Sequence, residues 1–90
     1  MSIKINFNDD FETVLICAER YALGRQTYMP KLVVDYITPL IPFLSNKTLG
    51  CLERDVSSSN NYGDENIDKP VWMMFLEQVR NQIEARSGTK

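Results

Sequence analysis

Apolar and polar residues alternate one by one through Ile3-Lys4-Ile5-Asn6-Phe7, the period of a strand. From Asp9 onward apolar residues recur at three- and four-residue spacing, the period of helices. The first pattern predicts an extended arm or short strand over 3–7, which needs a second edge to pair with. Asp9 and Glu12 form a capping-box pattern that opens a helix. Phe11, Val14, Leu15, Ala18, Tyr21 and Ala22 form its expected apolar stripe, and Gly24 is its expected left-handed stop. Thr27-Tyr28-Met29-Pro30 opens a second helix, with proline in the first turn and a buried face of Leu32, Val33, Tyr36 and Ile37. Pro39 and Pro42 forbid a straight continuation, leaving either a kinked extension or a new short helix over Thr38 to Leu44.

Ser45-Asn46-Lys47-Thr48 reads as another helix start, followed by Leu49, Leu52 and Val56 on one side, although Gly50 and the serines beyond weaken the pattern. Residues 57–68, SSSNNYGDENID, are a polar loop near the upper length for a compact domain. Asp68 caps a final helix with Pro70 in its first turn. Trp72, Phe75, Leu76, Val79 and Ile83 form its inward stripe, Glu77, Arg80, Gln82 and Glu84 point outward, and 87–90 fray. These elements predict a mainly α fold: a small bundle of three to four helices in one domain, 1–90, with a short N-terminal extended arm or strand.

Composition narrows the chemistry. Ninety residues leave room for one core, which buries only about two-thirds of the unfolded surface. The 43% hydrophobic and 24% charged content is that of a folded globular chain. Nothing in it is apolar for long enough to span a bilayer, and the start lacks a signal-peptide layout, so a cytoplasmic protein is expected. Histidine is absent, which removes the commonest general base, the commonest metal ligand and any Ser-His or Cys-His pair. The expectation is a non-catalytic protein with no cofactor and no metal. A histidine-free enzyme would need two acids facing one another in a deep pocket. Cys17 and Cys51 are too far apart in sequence for a paired-ligand spacing, and their apolar neighbours predict buried, reduced thiols. A net charge of −2 predicts no strong attraction to nucleic acid.

Two stretches stand out as candidate interaction sites. Val71, Trp72, Met73, Met74 and Phe75, continued by Leu76, wrap most of a helical circumference, whereas a helix serving one core needs a single stripe. Either neighbouring helices cover both sides, or Met73 and Met74 face another protein or a second copy of the chain. The segment Arg20 to Lys31 interleaves Arg20, Arg25 and Lys31 with Tyr21 and Tyr28 around a glycine turn, a layout able to contact phosphate and stack on bases. The alternative is ordinary complementarity between basic side chains and a helix end. Asp64, Glu65 and Asp68 fail the EF-hand register, which would place Ser58 and Lys69 at ligand positions.

The stretch RYALGRQTYMPKLVVDYI with the preceding ETVLICAE, spanning Glu12 to Ile37, resembles short open reading frames of phage and prophage origin. That resemblance implies an accessory protein of a mobile element, and it carries no assigned functional residue. Small proteins of this kind act by occupying a surface on a host or defence protein. The combined expectation is a phage-type accessory or inhibitor that binds another protein and itself. A small nucleic-acid-binding regulator using Arg20, Arg25, Tyr28 and Lys31 is the alternative, and no membrane partner is expected.

Overall fold

The computed structural model describes residues 9–25 and 28–87. The predicted arm at 3–7 and residues 88–90 of the predicted tail lie outside them. The fold is all-α, 79% helical, with four α-helices and no strand among the described residues. Helix α1 spans Asp9–Ala22, α2 Met29–Ile37, α3 Asn46–Ser57 and α4 Asp68–Ser87, and a 3-10 helix, Thr38–Phe43, joins α2 to α3. Ser87 closes α4 rather than opening a frayed tail.

Helix α3 packs most extensively on α4, α1 lies against α2 and α3, and α2 reaches across to α4. The Cα atoms span 44 × 30 × 17 Å. The thin dimension holds about two helix layers, so every helix keeps an outer face. The core is built from Leu15, Ala22, Val34, Ile37, Ile41, Leu44, Leu49, Leu52, Val56, Trp72, Phe75, Leu76 and Val79. Trp72 and Phe75 meet edge to face, with ring centroids 5.8 Å apart.

Local signals set most boundaries. Gly24 takes φ +90° and ends α1, as expected. Ser45 is the cap of α3, its hydroxyl accepting from the Thr48 amide at 3.2 Å. The two prolines are accommodated by the tighter 3-10 winding, entered where the Thr38 hydroxyl donates to the Val34 carbonyl at 2.7 Å.

Three helix starts and faces differ from expectation. The carboxylate capping the start of α4 is that of Asp64, whose Oδ1 accepts from the Asn66 and Ile67 amides at 2.7 and 2.8 Å. Asp68, the first residue of α4, is buried and accepts from the Asp64 amide at 2.8 Å. Glu12 reaches across to the start of α3, where its carboxylate meets Ser45 and Thr48. The inward face of α1 is Glu12, Leu15, Glu19 and Ala22, while Val14 and Tyr21 of the predicted stripe are exposed. On α2 the inward residues are Pro30, Val34 and Ile37, while Leu32 and Tyr36 point outward. Both helices are apolar on more than one side, so periodicity alone leaves the inward side undetermined.

Candidate functional site

The five residues of the predicted α4 interface divide. Trp72 and Phe75 are fully enclosed by their own chain and belong to the core, so they are removed from the interface set. Helix α4 packs against α3, α2 and the 3-10 helix, so more than one side of it is covered within the chain. Val71 and Met73 are half-buried and pack against that core. Met74 alone of the five is exposed, at 67%. It borders a hollow of about 330 Å³ between α2, the 3-10 helix and α4, with Val34, Thr38, Pro39 and Phe75 in its walls.

The larger apolar exposure lies on α1 and α2. Residues advance by about 100° each along a helix. Arg20 therefore sits on the flank of α1 that meets α3, where its Nε donates to Asp55 Oδ2 at 2.7 Å. Val14, Ala18 and Tyr21 lie on the opposite flank and outer side, next to α2. On α2, Asp35 and Thr38 face the hollow beside Met74. Tyr28, Leu32 and Tyr36, four residues apart, form the outer stripe. Tyr28 is 69% exposed and Leu32 55%, and Val14, Tyr21 and Tyr36 are comparably open. The two stripes lie on the outer sides of two helices that pack against each other. Cys17 lies on it too, exposed rather than buried; Cys51 is half-buried, and both are free thiols.

The basic residues of this region are distributed differently from a phosphate-binding patch. Arg20 is held by Asp55, and Lys31 pairs with Asp35 at 2.8 Å one turn along α2. Arg25 stands over the Tyr21 ring, 4.2 Å from Cζ to its centroid, and donates from Nε to the Tyr21 carbonyl. Of the predicted nucleic-acid set, Arg25 and Tyr28 are the two without an ion pair among the described residues.

The structure also assembles a carboxyl cluster that no spacing along the chain announces. Glu19 is 0% exposed, and no described donor reaches either of its carboxyl oxygens. Its one polar neighbour of consequence is Asp55 of α3. Burial, followed by the hydrogen bond and negative charge of Asp55, pushes the Glu19 pKa up to about 9, against a smaller opposing pull from Arg20. At neutral pH Glu19 is therefore a neutral acid donating to the Asp55 carboxylate, which Arg20 holds from its other side. Asp55 and Arg20 border an open cleft of about 330 Å³ with Leu23, Gly24, Ser58, Ser59 and Asn61. Glu19 does not line this cleft and reaches it only through Asp55.

A second buried acid, Glu12, has one carboxylate oxygen held by three donors. Its Oε1 accepts from the Ser45 amide at 3.1 Å, the Ser45 hydroxyl at 2.9 Å and the Thr48 hydroxyl at 2.5 Å, capping α3 from another helix. Burial alone would raise its pKa; these bonds, with Arg86 nearby, outweigh that and lower it. Among the described residues no group of acids, cysteines or histidines could hold a metal ion. No described helix is long and apolar enough to cross a membrane.

The chain matches no protein-family model, no curated protein and no solved structure.

Proposed function

We propose that this chain is a non-catalytic accessory or inhibitor protein of the phage type, and that it works by docking the outer face of α1 and α2 onto another protein. One observation carries the proposal: Val14, Tyr21, Tyr28, Leu32 and Tyr36 are all exposed on two adjacent helices. Three tyrosines and two aliphatic side chains at this exposure present apolar area on the order of 500 Å². That is the scale of the largest apolar patch on a typical monomer, which is often functional, and rigid tyrosines are favoured at the energetic centre of interfaces. The ion pair of Lys31 with Asp35 and the stacked Arg25 supply a polar border. The partner in mind is a host or defence protein, with a second copy of the chain as a further occupant.

The test is affinity capture from an extract of the native host, with the wild type and a Leu32→Asp, Tyr36→Asp double variant side by side. A protein retained by the wild type and lost from a variant of unchanged melting temperature supports docking through this face. Equal retention by both rejects it. Loss on Arg25→Ala alone, with nucleic acid in the retained fraction, would favour the regulator that uses Arg20, Arg25, Tyr28 and Lys31.

A further inference from the structure

We propose that the cleft between the ends of α1 and α3 is a binding site for a carboxylate, gripped by the terminal nitrogens of Arg20 and the side-chain amide of Asn61. The support comes from the donors and acceptors that its walls leave unused. The Ser58 hydroxyl donates inward to the Arg54 carbonyl at 2.6 Å, and the Ser59 hydroxyl donates to the Asn61 carbonyl at 2.9 Å. Asn61 Oδ1 accepts from the Gly63 amide at 3.1 Å, which fixes which end of the amide is the oxygen. Asn61 Nδ2 has no acceptor among the described residues, and it lies beside Gly24, where a Cβ would stand 3.3 Å from it. Arg20 uses Nε alone on Asp55, so Nη1 and Nη2 have no described partner. The donors left over on the cleft walls are thus an amide and a forked guanidinium edge, and the group that satisfies a fork with two parallel acceptors is a carboxylate.

Preorganisation and charge favour the same ligand. The Asp55 bond holds the guanidinium in place, and the Gly63 bond holds the asparagine, so little side-chain freedom is lost on binding. A ligand anion near Asp55 would be repelled if Glu19 were also charged. With Glu19 protonated the cluster of Arg20, Asp55 and Glu19 is neutral, and the terminal fork still presents donors only. Such a balance suits a singly charged, planar anion better than a phosphate dianion. The cleft volume of about 330 Å³ admits an acidic side chain or a chain end.

The test is a titration of the isotope-labelled chain with sodium acetate, following the Arg20 Nε–H and Asn61 Nδ2 signals by NMR, with sodium chloride at matched ionic strength as reference. Saturable shifts of both signals are expected in the millimolar range that suits one forked contact. Chloride should produce none, and phosphate weaker ones. N-acetylglycine and N-acetylglutamic acid α-amide, a chain-end and a side-chain carboxylate, then show which source of the group fits better. Asn61→Asp keeps the oxygen that the Gly63 amide needs and replaces the free donor by a charge, so acetate affinity should fall by about tenfold or more while the Gly63 amide signal stays put. Arg20→Lys, which keeps the charge and loses the fork, should weaken binding as well. Non-saturating shifts equal to those with chloride, phosphate binding tighter than acetate, or undiminished acetate affinity in a folded Asn61→Asp chain would each overturn the assignment. Should Asn61→Asp not fold, the wild-type titration and Arg20→Lys decide.

Discussion

Glu12 and Glu19 stand two turns apart on the inward side of α1 and titrate in opposite senses. Glu12 is ionised and held by Ser45 and Thr48, with its pKa lowered. Its contribution is present above the ordinary carboxylate range and disappears as pH falls through it. Glu12→Gln should therefore cost about 1–2 kcal/mol at neutral pH, measured by urea denaturation, and cost progressively less on acidification. Glu19 is the reverse case. Its folded pKa of about 9 lies above the unfolded value, so the folded state holds its proton more tightly. It costs nothing below the ordinary carboxylate range, and the penalty grows as pH rises toward 9. Glu19→Gln should raise the melting temperature at about pH 8 clearly more than at about pH 5, where little of the penalty has developed. A Glu19→Gln chain that melts lower at both values would contradict the neutral acid. Neither role was legible in the sequence. A glutamate at helical spacing reads as solvent-facing, and what turns these two inward is a partner on α3, Thr48 and Ser45 for one and Asp55 for the other, more than thirty residues away.

At the scale of elements, the end of α1 and the start of α3 were legible, whereas the cap of α4 and the lateral packing were not. Gly24 and Ser45 end and start helices where their residue types demand, and the proline pair produces a tighter winding rather than a break. The loop from Ser58 to Ile67 reads as polar and featureless, yet it is bound by its own side chains. Tyr62 Oη donates to the Val56 carbonyl at 2.7 Å, and Ser59, Asn61 and Asp64 each bond a backbone amide within three residues. Gly63 lies at the point where this loop meets the connection between α1 and α2. Its φ is +94°, and an added Cβ would collide with the Arg25 carbonyl and stand 2.6 Å from Asp68 Oδ2. Gly63→Ala should cost about 2 kcal/mol or more in urea denaturation, and a loss below half of that would mean the loop can move aside. The far end of α4 is tied by side-chain bonds that no periodicity announces: Arg86 donates to the Pro42 carbonyl at 2.9 Å and to Asn46 Oδ1 at 2.8 Å.

For the whole molecule the question is where apolar surface is left over. The run from Val71 to Leu76 suggests a surplus on α4, but a four-helix slab flanks that helix with α2 and α3, which absorb Trp72, Phe75 and Leu76 and leave Met74 outside. Trp72→Ala should accordingly cost about 3–5 kcal/mol of stability as a core truncation. The surplus lies instead on α1 and α2, whose sequences are apolar on two sides while the thin bundle covers only one. Leu32→Asp should cost no more than about 1 kcal/mol, since the side chain is more than half exposed. Hydroxyl-radical footprinting of the free chain and of its complex with the protein captured from the host discriminates the two faces directly. Tyr21, Tyr28 and Tyr36 should be labelled in the free chain and protected in the complex, with Met74 labelled equally in both. Protection of Met74 with the three tyrosines unchanged would place the interface on α4 and contradict docking through α1 and α2.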